Sequence, residues 1–408
     1  MVGRLAWRSI WRNRRRTIIT VSSIGMGVAM AVFFISMADG VYAQLIDDVA
    51  RMQAGHITLE HPAYRQAARV SLLVTHARAL QRRIASLDGV AFTKRLIVGQ
   101  AIARSAASTV GVVLNGVEPS VESRHSPLAA HMVSGDYLAD GDGADAVIGR
   151  DLATRLNLAV GKKLVLTTND VDGNLVDELC RIKGIFASGS SDIDGHFVQV
   201  PIAFAGRTFR VPDDAATQIG VVLARPDDQA AVMREIRRAA SGQDVAVRPW
   251  QEIQPEIASY IRLDRGSNWI FQALLVILVL FTIFNTVLMS VLERQREFAM
   301  LLALGTRPAD VRWQVFVETG YLAVMGCACG VLVGGGLSWL LEVRGLDLRT
   351  FYPHGVTISG FAIDPILRAS VSARTLGVTT GIVMAAILGL GLIPMRQATR
   401  LRIVDWLR

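Results

Sequence analysis

The chain has 408 residues, 51% of them hydrophobic, yet 19% are charged and the formal net charge is +8. That mixture excludes a wholly embedded protein and an ordinary soluble globule, and describes a membrane protein with a large water-exposed part. No basic patch interleaves with aromatic residues, so the positive charge speaks for topology and lipid contact rather than nucleic acid.

In chain order, residues 1–16 set Leu5, Trp7, Ile10 and Trp11 among Arg4, Arg8, Arg12, Arg14, Arg15 and Arg16. This pattern fits an interfacial amphipathic helix, or equally a basic flank that orients the next segment. The apolar stretch 17–38 follows, long enough at 1.5 Å per residue to cross a bilayer core of about 30 Å. Its Arg-rich flank and the small-residue end Ser36-Met37-Ala38 resemble a cleaved signal, and Arg15-Arg16 weakly resembles a twin-arginine one. The apolar run exceeds the roughly 7–15 residues of such signals, so a retained anchor is expected. Three further spans are expected at 268–292, 314–341 and 375–395.

Between the first two spans, 39–267 reads as an α+β region in two parts. Strand-like runs lie at 54–60, 91–105, 109–117, 218–224 and 245–248, with helices at 77–87 and 226–240. Strand-helix-strand order at both ends suggests one small α/β domain assembled from both halves. The insert, roughly 118–217, reads as richer in strands: 145–150, 164–168 and 175–186, with a short helix at 151–158 and a hairpin turn at Asp172-Gly173. Of the 3 cysteines, Cys180 stands alone in this region and Cys327 and Cys329 share a span, so no disulfide or metal spacing exists. A region of this size buries its own core without staples.

Asp170, Asp172 and Gly173, and Asp192, Asp194, Gly195 and His196, superficially resemble cation loops. Both lack the later Glu and a third acidic ligand, so turn chemistry accounts for them. His56 and His61 carry no partner pattern. The sequence holds no G-x-x-x-x-G-K-[ST], G-x-S-x-G or H-E-x-x-H. A non-catalytic chain that binds neither nucleotide nor metal is therefore expected.

Basic residues of short segments set orientation. Residues 1–16, the loop bearing Arg294, Arg296, Arg307 and Arg312, and the tail bearing Arg396, Arg400, Arg402 and Arg408 fall on one side, hence the cytoplasm. Arg344, Arg349, Arg368 and Arg374 on the other side narrow the contrast without reversing it. Gly326, Gly330 and Gly334 recur along the third span, and Ser23, Gly27 and Ala31 along the first. This small-xxx-small spacing brings helices close and suits an oligomer whose spans meet. Glu318 lies just inside the third span, where snorkelling or pairing with Arg312 is expected.

After Leu292 the second span runs into Glu293-Arg294-Gln295-Arg296-Glu297, then an apolar face of Phe298, Ala299, Leu301 and Leu302, closed by Gly305 and Pro308. The acidic start and glycine end suit a short helix. From its residues alone it either docks in a groove of a cytoplasmic partner or lies on the bilayer.

Here a family resemblance enters. Asn285 to Gly305, with Glu293-Arg294-Gln295-Arg296-Glu297-Phe298-Ala299 at its centre, closely resembles the coupling-helix hallmark of MacB/FtsX-like (type VII) ABC transporter permeases. Within them it is nearest the lipoprotein-releasing LolC/LolE-type branch. Leu302 replaces the usual basic residue and Thr306 the usual Ala. Leu5 to Thr17, Phe316-Val317-Glu318-Thr319-Gly320, and Pro394 to Leu401 resemble the family's opening, third span and close. Ile148 to Ala153 and Val160 to Leu164 resemble its inserted β subdomain.

The resemblance implies an α-helical membrane protein with four transmembrane helices and a large α+β extracytoplasmic domain inserted between helices 1 and 2. Its parts would be a cytoplasmic amphipathic helix (1–16), spans 17–38, 268–292, 314–341 and 375–395, and a periplasmic domain (39–267). That domain would comprise a Porter-like part (44–117 and 218–262) and a Sabre-like insert (118–217). Residues 293–313 would form the coupling helix and loop, 342–374 a periplasmic loop and 396–408 a cytoplasmic tail. The implied role is the permease of a mechanotransmitting ABC transporter in a bacterial inner membrane, extracting or releasing lipoprotein or another amphiphile. ATP and Mg would sit on a partner ATPase, engaged through Glu293, Arg294, Arg296, Glu297, Phe298, Leu301, Leu304 and Gly305. A second permease (identical or paralogous), membrane lipids and a periplasmic carrier or adaptor complete the partners. Lipoprotein recognition needs an apolar surface between the outer domain and the spans, for which Met37, Val41, Tyr42, Ile46, Ile261, Leu263 and Ile270 are candidates, or equally ordinary packing. The alternatives are a MacB-like tripartite efflux permease, or an FtsX-like signalling permease acting on a cell-wall hydrolase, whose outer domain is typically smaller.

Overall fold

The computed structural model describes residues 2–347, 356–358, 361–363 and 366–397. The chain forms two compact units, one of Met1–Ala43, Ile261–Leu348 and Ile366–Arg408, the other of Gln44–Tyr260 and Arg349–Pro365. The tail from Ala398 onward, with the second half of the closing motif, and most of the 348–365 loop lie outside the described residues.

Among the described residues four helices are long and apolar enough to cross a membrane: Arg14–Met52, Pro255–Glu293, Pro308–Arg344 and a fourth within Ala373–Gln397. The first three run well past the apolar stretches that mark the spans. Charge ends a membrane span, but it does not end a helix. Nothing between Asp39 and Met52 breaks the first, and Pro255 opens the second, where a missing amide proton costs nothing. A separate helix, Val2–Arg12, precedes the first. It buries Ala6 and Ile10 and leaves Trp7 and Trp11 half exposed, as an interfacial helix would.

The bundle core joins Ile10, Ile24, Val28 and Val32 to Val279, Ile283, Val287 and Val291 of the second long helix and to Phe298, Val315, Ala323 and Ile387. Phe271, Leu274, Ile277, Leu278 and Phe281 form an exposed apolar face on the second long helix, a face that needs hydrocarbon or another helix against it.

The glycine stripe is spent inside this one chain. A Cβ at Gly326 would lie 2.5 Å from Ile24 Cβ, at Gly330 2.6 Å from Val28 Cβ, and at Gly334 2.6 Å from the Ala29 carbonyl oxygen. The first and third long helices therefore meet backbone to backbone. The sequence left open whether the stripe packs within one subunit or across a dimer; here its close approach is made within one subunit.

In the second unit, ten strands form one hydrogen-bonded sheet. They are β1 (Ile57–Glu60), β2 (Val90–Arg104), β3 (Thr109–Val117), β4 (Met132–Gly135), β5 (Asp145–Gly149), β6 (Lys163–Asn169), β7 (Leu175–Phe186), β8 (Phe197–Pro201), β9 (Gln218–Leu223) and β10 (Ala246–Pro249). The order is β10-β1-β9-β2-β3-β8-β5-β7-β4, with β6 pairing β2 and β7. The long strand β2 serves both ends: Val90–Leu96 pairs β9, while Ile97–Arg104 pairs β3 and its last residues pair β6.

Helices Ala77–Ala85 and Gln229–Ala239 cover the β1–β9 end through Leu80, Ile84, Val232 and Ile236. The larger core under β3, β5, β6, β7 and β8 includes Leu114, Ile148, Leu166, Ile182 and Phe204. Short helices Pro119–His125, Ser191–His196 and Ile202–Phe209, and strands β4 and β8, were not legible in the sequence.

The first acidic loop is a turn; the second, expected to be one, is the short helix Ser191–His196 capped by Ser190. The Asp170 carboxylate accepts the amides of Asp172 (3.0 Å) and Asn174 (2.8 Å), and Gly173 sits at φ +86°. Asp194 accepts from the amide and hydroxyl of Ser188. The last turn of the first long helix is held by Lys94, which is 1% exposed. Its Nζ donates to the Arg51 carbonyl at 2.6 Å and to Glu122 Oε1 at 2.7 Å.

Candidate functional site

The second long helix ends at Glu293, Arg294 breaks it, and the short helix Gln295–Ala303 follows. Gly305, at φ +93°, turns the chain left-handed. Its amide donates to the Leu302 carbonyl (3.1 Å) and that of Thr306 to the Leu301 carbonyl (3.0 Å), a Schellman closure. Pro308 then opens the third long helix.

This turn brings Arg294 back against Glu318. Arg294 Nη1 lies 2.9 Å from Glu318 Oε2 and donates to Ser9 Oγ at 2.8 Å, while the Ser9 hydroxyl donates to Glu318 at 3.2 Å. Arg16 lies 3.5 Å from Glu318 Oε1 and 3.3 Å from Glu293. Arg294 also reaches Glu297 at 3.1 Å, and Glu297 meets Arg12 at 2.7 Å. Three arginines and three glutamates thus tie five helical segments into one node. Glu318 pairs with Arg294 and Arg16, correcting the expected partner Arg312. Partial burial raises the tendency of Glu297 to protonate, but hydrogen bonds from Arg294 and Arg12 outweigh it and hold the carboxyl below its usual range.

The node divides the expected coupling residues. Arg294 is turned inward, its guanidinium 5.0 Å from the Phe298 ring centroid. Phe298 (1% exposed) and Ala299 belong to the bundle core, and Leu301 and Leu302 pack partly against it. The expected apolar docking face is therefore corrected, because it faces this chain's own helices. The outward face carries Arg296, Met300, Ala303 and Leu304, the last 83% exposed. Glu293 and Glu297 sit between the two, and Gly305 caps the helix. Arg12 and Arg16 were read as topology charge and as the polar face of an amphipathic helix, and Ser9 only as part of the family's opening. The signal missed was the three glutamates that match them.

At the other end of the bundle, a cavity of about 410 Å³ lies between the first, second and fourth long helices. Its lining includes Ile35, Asp39, Tyr42, Arg265, Asn268, Trp269, Arg374, Thr375 and Ile382. Of the expected substrate-contacting residues only Tyr42 lines it. Met37 and Val41 are half-buried, Ile261 is buried, Leu263 and Ile270 are exposed, and Ile46 belongs to the α+β unit. The Tyr42 hydroxyl donates to Asp264 and accepts from Asn268 at 2.9 Å.

The MacB-like periplasmic core domain family matches residues 17–239, and the FtsX-like permease C-terminal family matches 269–403. The chain belongs to the MacB/FtsX-like permease family. Among its relatives, the lipoprotein-releasing system transmembrane protein LolC of Neisseria meningitidis is 23% identical over 79% of this chain and 77% of its own length. The pyoverdine export ATP-binding/permease protein PvdT of Pseudomonas entomophila is 25% identical over 97% of this chain but 58% of its own length. The macrolide export ATP-binding/permease protein MacB of Burkholderia pseudomallei is 23% identical over 98% of this chain and 59% of its own. The solved periplasmic region of MacB from Actinobacillus actinomycetemcomitans aligns over 53% of this chain and 98% of its own, at 11% identity and a TM-score of 0.37. In this MacB/FtsX-like permease the node and the cavity occupy opposite ends of the helix bundle.

Proposed function

We propose that this permease is the force-transmitting subunit of an ATP-driven transporter in a bacterial inner membrane, its N- and C-termini cytoplasmic. A separate ATPase binds ATP and Mg and pushes on the outward face of Gln295–Ala303. A second permease, identical or paralogous, completes the membrane part. The observation that carries this reading is the division of the short helix: Arg294 and Phe298 lock it into the bundle, while Arg296, Met300 and Leu304 face outward. A helix so locked cannot tilt alone, so a push on it moves the first, second and third long helices. The first and second continue well beyond the apolar stretch, as levers acting on a water-exposed domain require.

The substrate we favour is a lipoprotein or similar amphiphile, lifted from the leaflet opposite the coupling helix and passed to a carrier. LolC supports this reading by matching over most of both chains. The exporters PvdT and MacB, which match nearly all of this chain, support a second reading, efflux through an adaptor.

Co-expression with the candidate ATPase tests the first claim. Arg296→Glu combined with Leu304→Asp should cut ATPase co-purification about tenfold, the loss of roughly 1.4 kcal/mol of contact, with the thermal midpoint unchanged. Full ATPase association and transport in that variant would overturn it. Depletion of the permease should strand acylated lipoprotein in the inner membrane; drug or siderophore retention instead would decide for efflux.

A further inference from the structure

We propose that the cavity between the first, second and fourth long helices is a binding site for a phosphate-bearing membrane lipid, held in the leaflet opposite the coupling helix. Arg16 of the coupling node and Asp39 at the cavity mouth lie on one continuous helix. At 1.5 Å per residue they are about 34 Å apart, the thickness of a bilayer core plus its edge. The mouth therefore sits at the far interface, and the cavity reaches from it into hydrocarbon.

All the charged lining residues sit at the outer end. Outermost are Asp39 and Tyr42, Arg265 and Asn268, and Arg374 and Thr375; deeper lie Ile35, Trp269, Ile382 and Val383, with uncharged Gln272 and Thr379 among them. A polar rim over an apolar floor matches a head group joined to an acyl chain, and free phosphate leaves the floor unexplained. Val378, Ile382 and Trp269 are also exposed on the bundle's flank, so a chain can enter sideways from the bilayer.

The rim is pre-arranged. Arg265 lies 5.2 Å over the Tyr42 ring and 3.9 Å from Asp39, which accepts from the Thr375 hydroxyl at 3.3 Å. Arg374 pairs with no carboxylate among the described residues. Arg265 is matched by Asp39, and Asp264 stands behind the rim on the Tyr42 hydroxyl, so Arg374 is the lining cation left to meet a phosphodiester. A volume of about 410 Å³ takes the upper part of one chain, not a whole lipid.

The test uses the full chain in mild detergent without ATPase or nucleotide, so its outcome is independent of the transport reading. Native mass spectrometry after incubation with phosphatidylglycerol should show one retained lipid. Arg374→Gln, at an exposed side chain with no carboxylate partner among the described residues, should lower retention about tenfold, as loss of a charge-assisted contact does. Val378→Trp, which fills the deeper half, should lower it comparably with an unchanged thermal midpoint. Unchanged retention in both variants, equal retention of diacylglycerol, or displacement by millimolar inorganic phosphate would each overturn the proposal.

Discussion

Arg294 Nη1 and Glu318 Oε2 stand 2.9 Å apart, their side chains only 11% and 9% exposed. They are 24 residues apart in sequence, joined by a turn that only Gly305 relieves of strain. Removing one partner leaves the other half compensated, Glu318 by Arg16 and Arg294 by Glu297. Glu318→Gln or Arg294→Met should therefore destabilise the bundle, by less than the roughly 3–5 kcal/mol of a fully uncompensated buried charge. Thermal unfolding in detergent reads this directly. Arg294→Met/Glu318→Gln should cost less than the sum of the two single changes, and a double-mutant cycle without coupling would refute the node.

The helix contact at Gly330 makes a steric prediction. Its added Cβ would sit 2.6 Å from Val28 Cβ and 2.7 Å from the Gly25 carbonyl oxygen. Gly330→Val should force the first and third long helices apart and lower the thermal midpoint sharply, with a cost of about 1–3 kcal/mol or more from overpacking. Gly336→Ala, with nothing within 4 Å, should be silent.

In the α+β unit, Lys94 and Glu122 are 1% and 2% exposed. Lys94→Met should cost roughly 3–5 kcal/mol because Glu122 loses its partner. Lys94→Met/Glu122→Leu should cost much less than the sum of the two single changes. Denaturant unfolding of the three variants checks the cycle.

His56 adds a pH dependence. Burial, with Arg51 nearby, holds its imidazole below the ordinary His range against the opposing pull of Asp47. Its Nδ1 accepts the Leu223 amide at 3.3 Å, so the folded state keeps it neutral. The unfolded chain binds the proton first as pH falls, so stability from this group is full above about 6.5 and declines below it. Unfolding midpoints of wild type and His56→Asn should diverge less at pH 5 than at pH 8. Parallel curves would sink the assignment.

The four apolar helices were legible because hydropathy is a local property, and the β6–β7 hairpin because Asp172-Gly173 names its turn. The facing of the short helix was not. Phe298, Leu301 and Leu302 mark an apolar side, but its spacing is the same whether that side meets a partner or its own bundle. Arg312 was favoured for Glu318 by nearness, yet six residues along a helix place two side chains well apart around the axis. Strand β8 and helix Ile202–Phe209 form one apolar run in the sequence, and periodicity cannot divide such a run.

Strand β2 carries a consequence for how such a domain can change over time. Its first half is stitched to β9 and its second to β3 and β6, while β3 is stitched to β8. Residues 118–217 are therefore not a cassette. Excising them would strip β8 from β3 and β6 from β2, leaving two raw edges on a sheet meant to be closed. Recombination between relatives can exchange this region cleanly only by carrying the outer half of β2 with it.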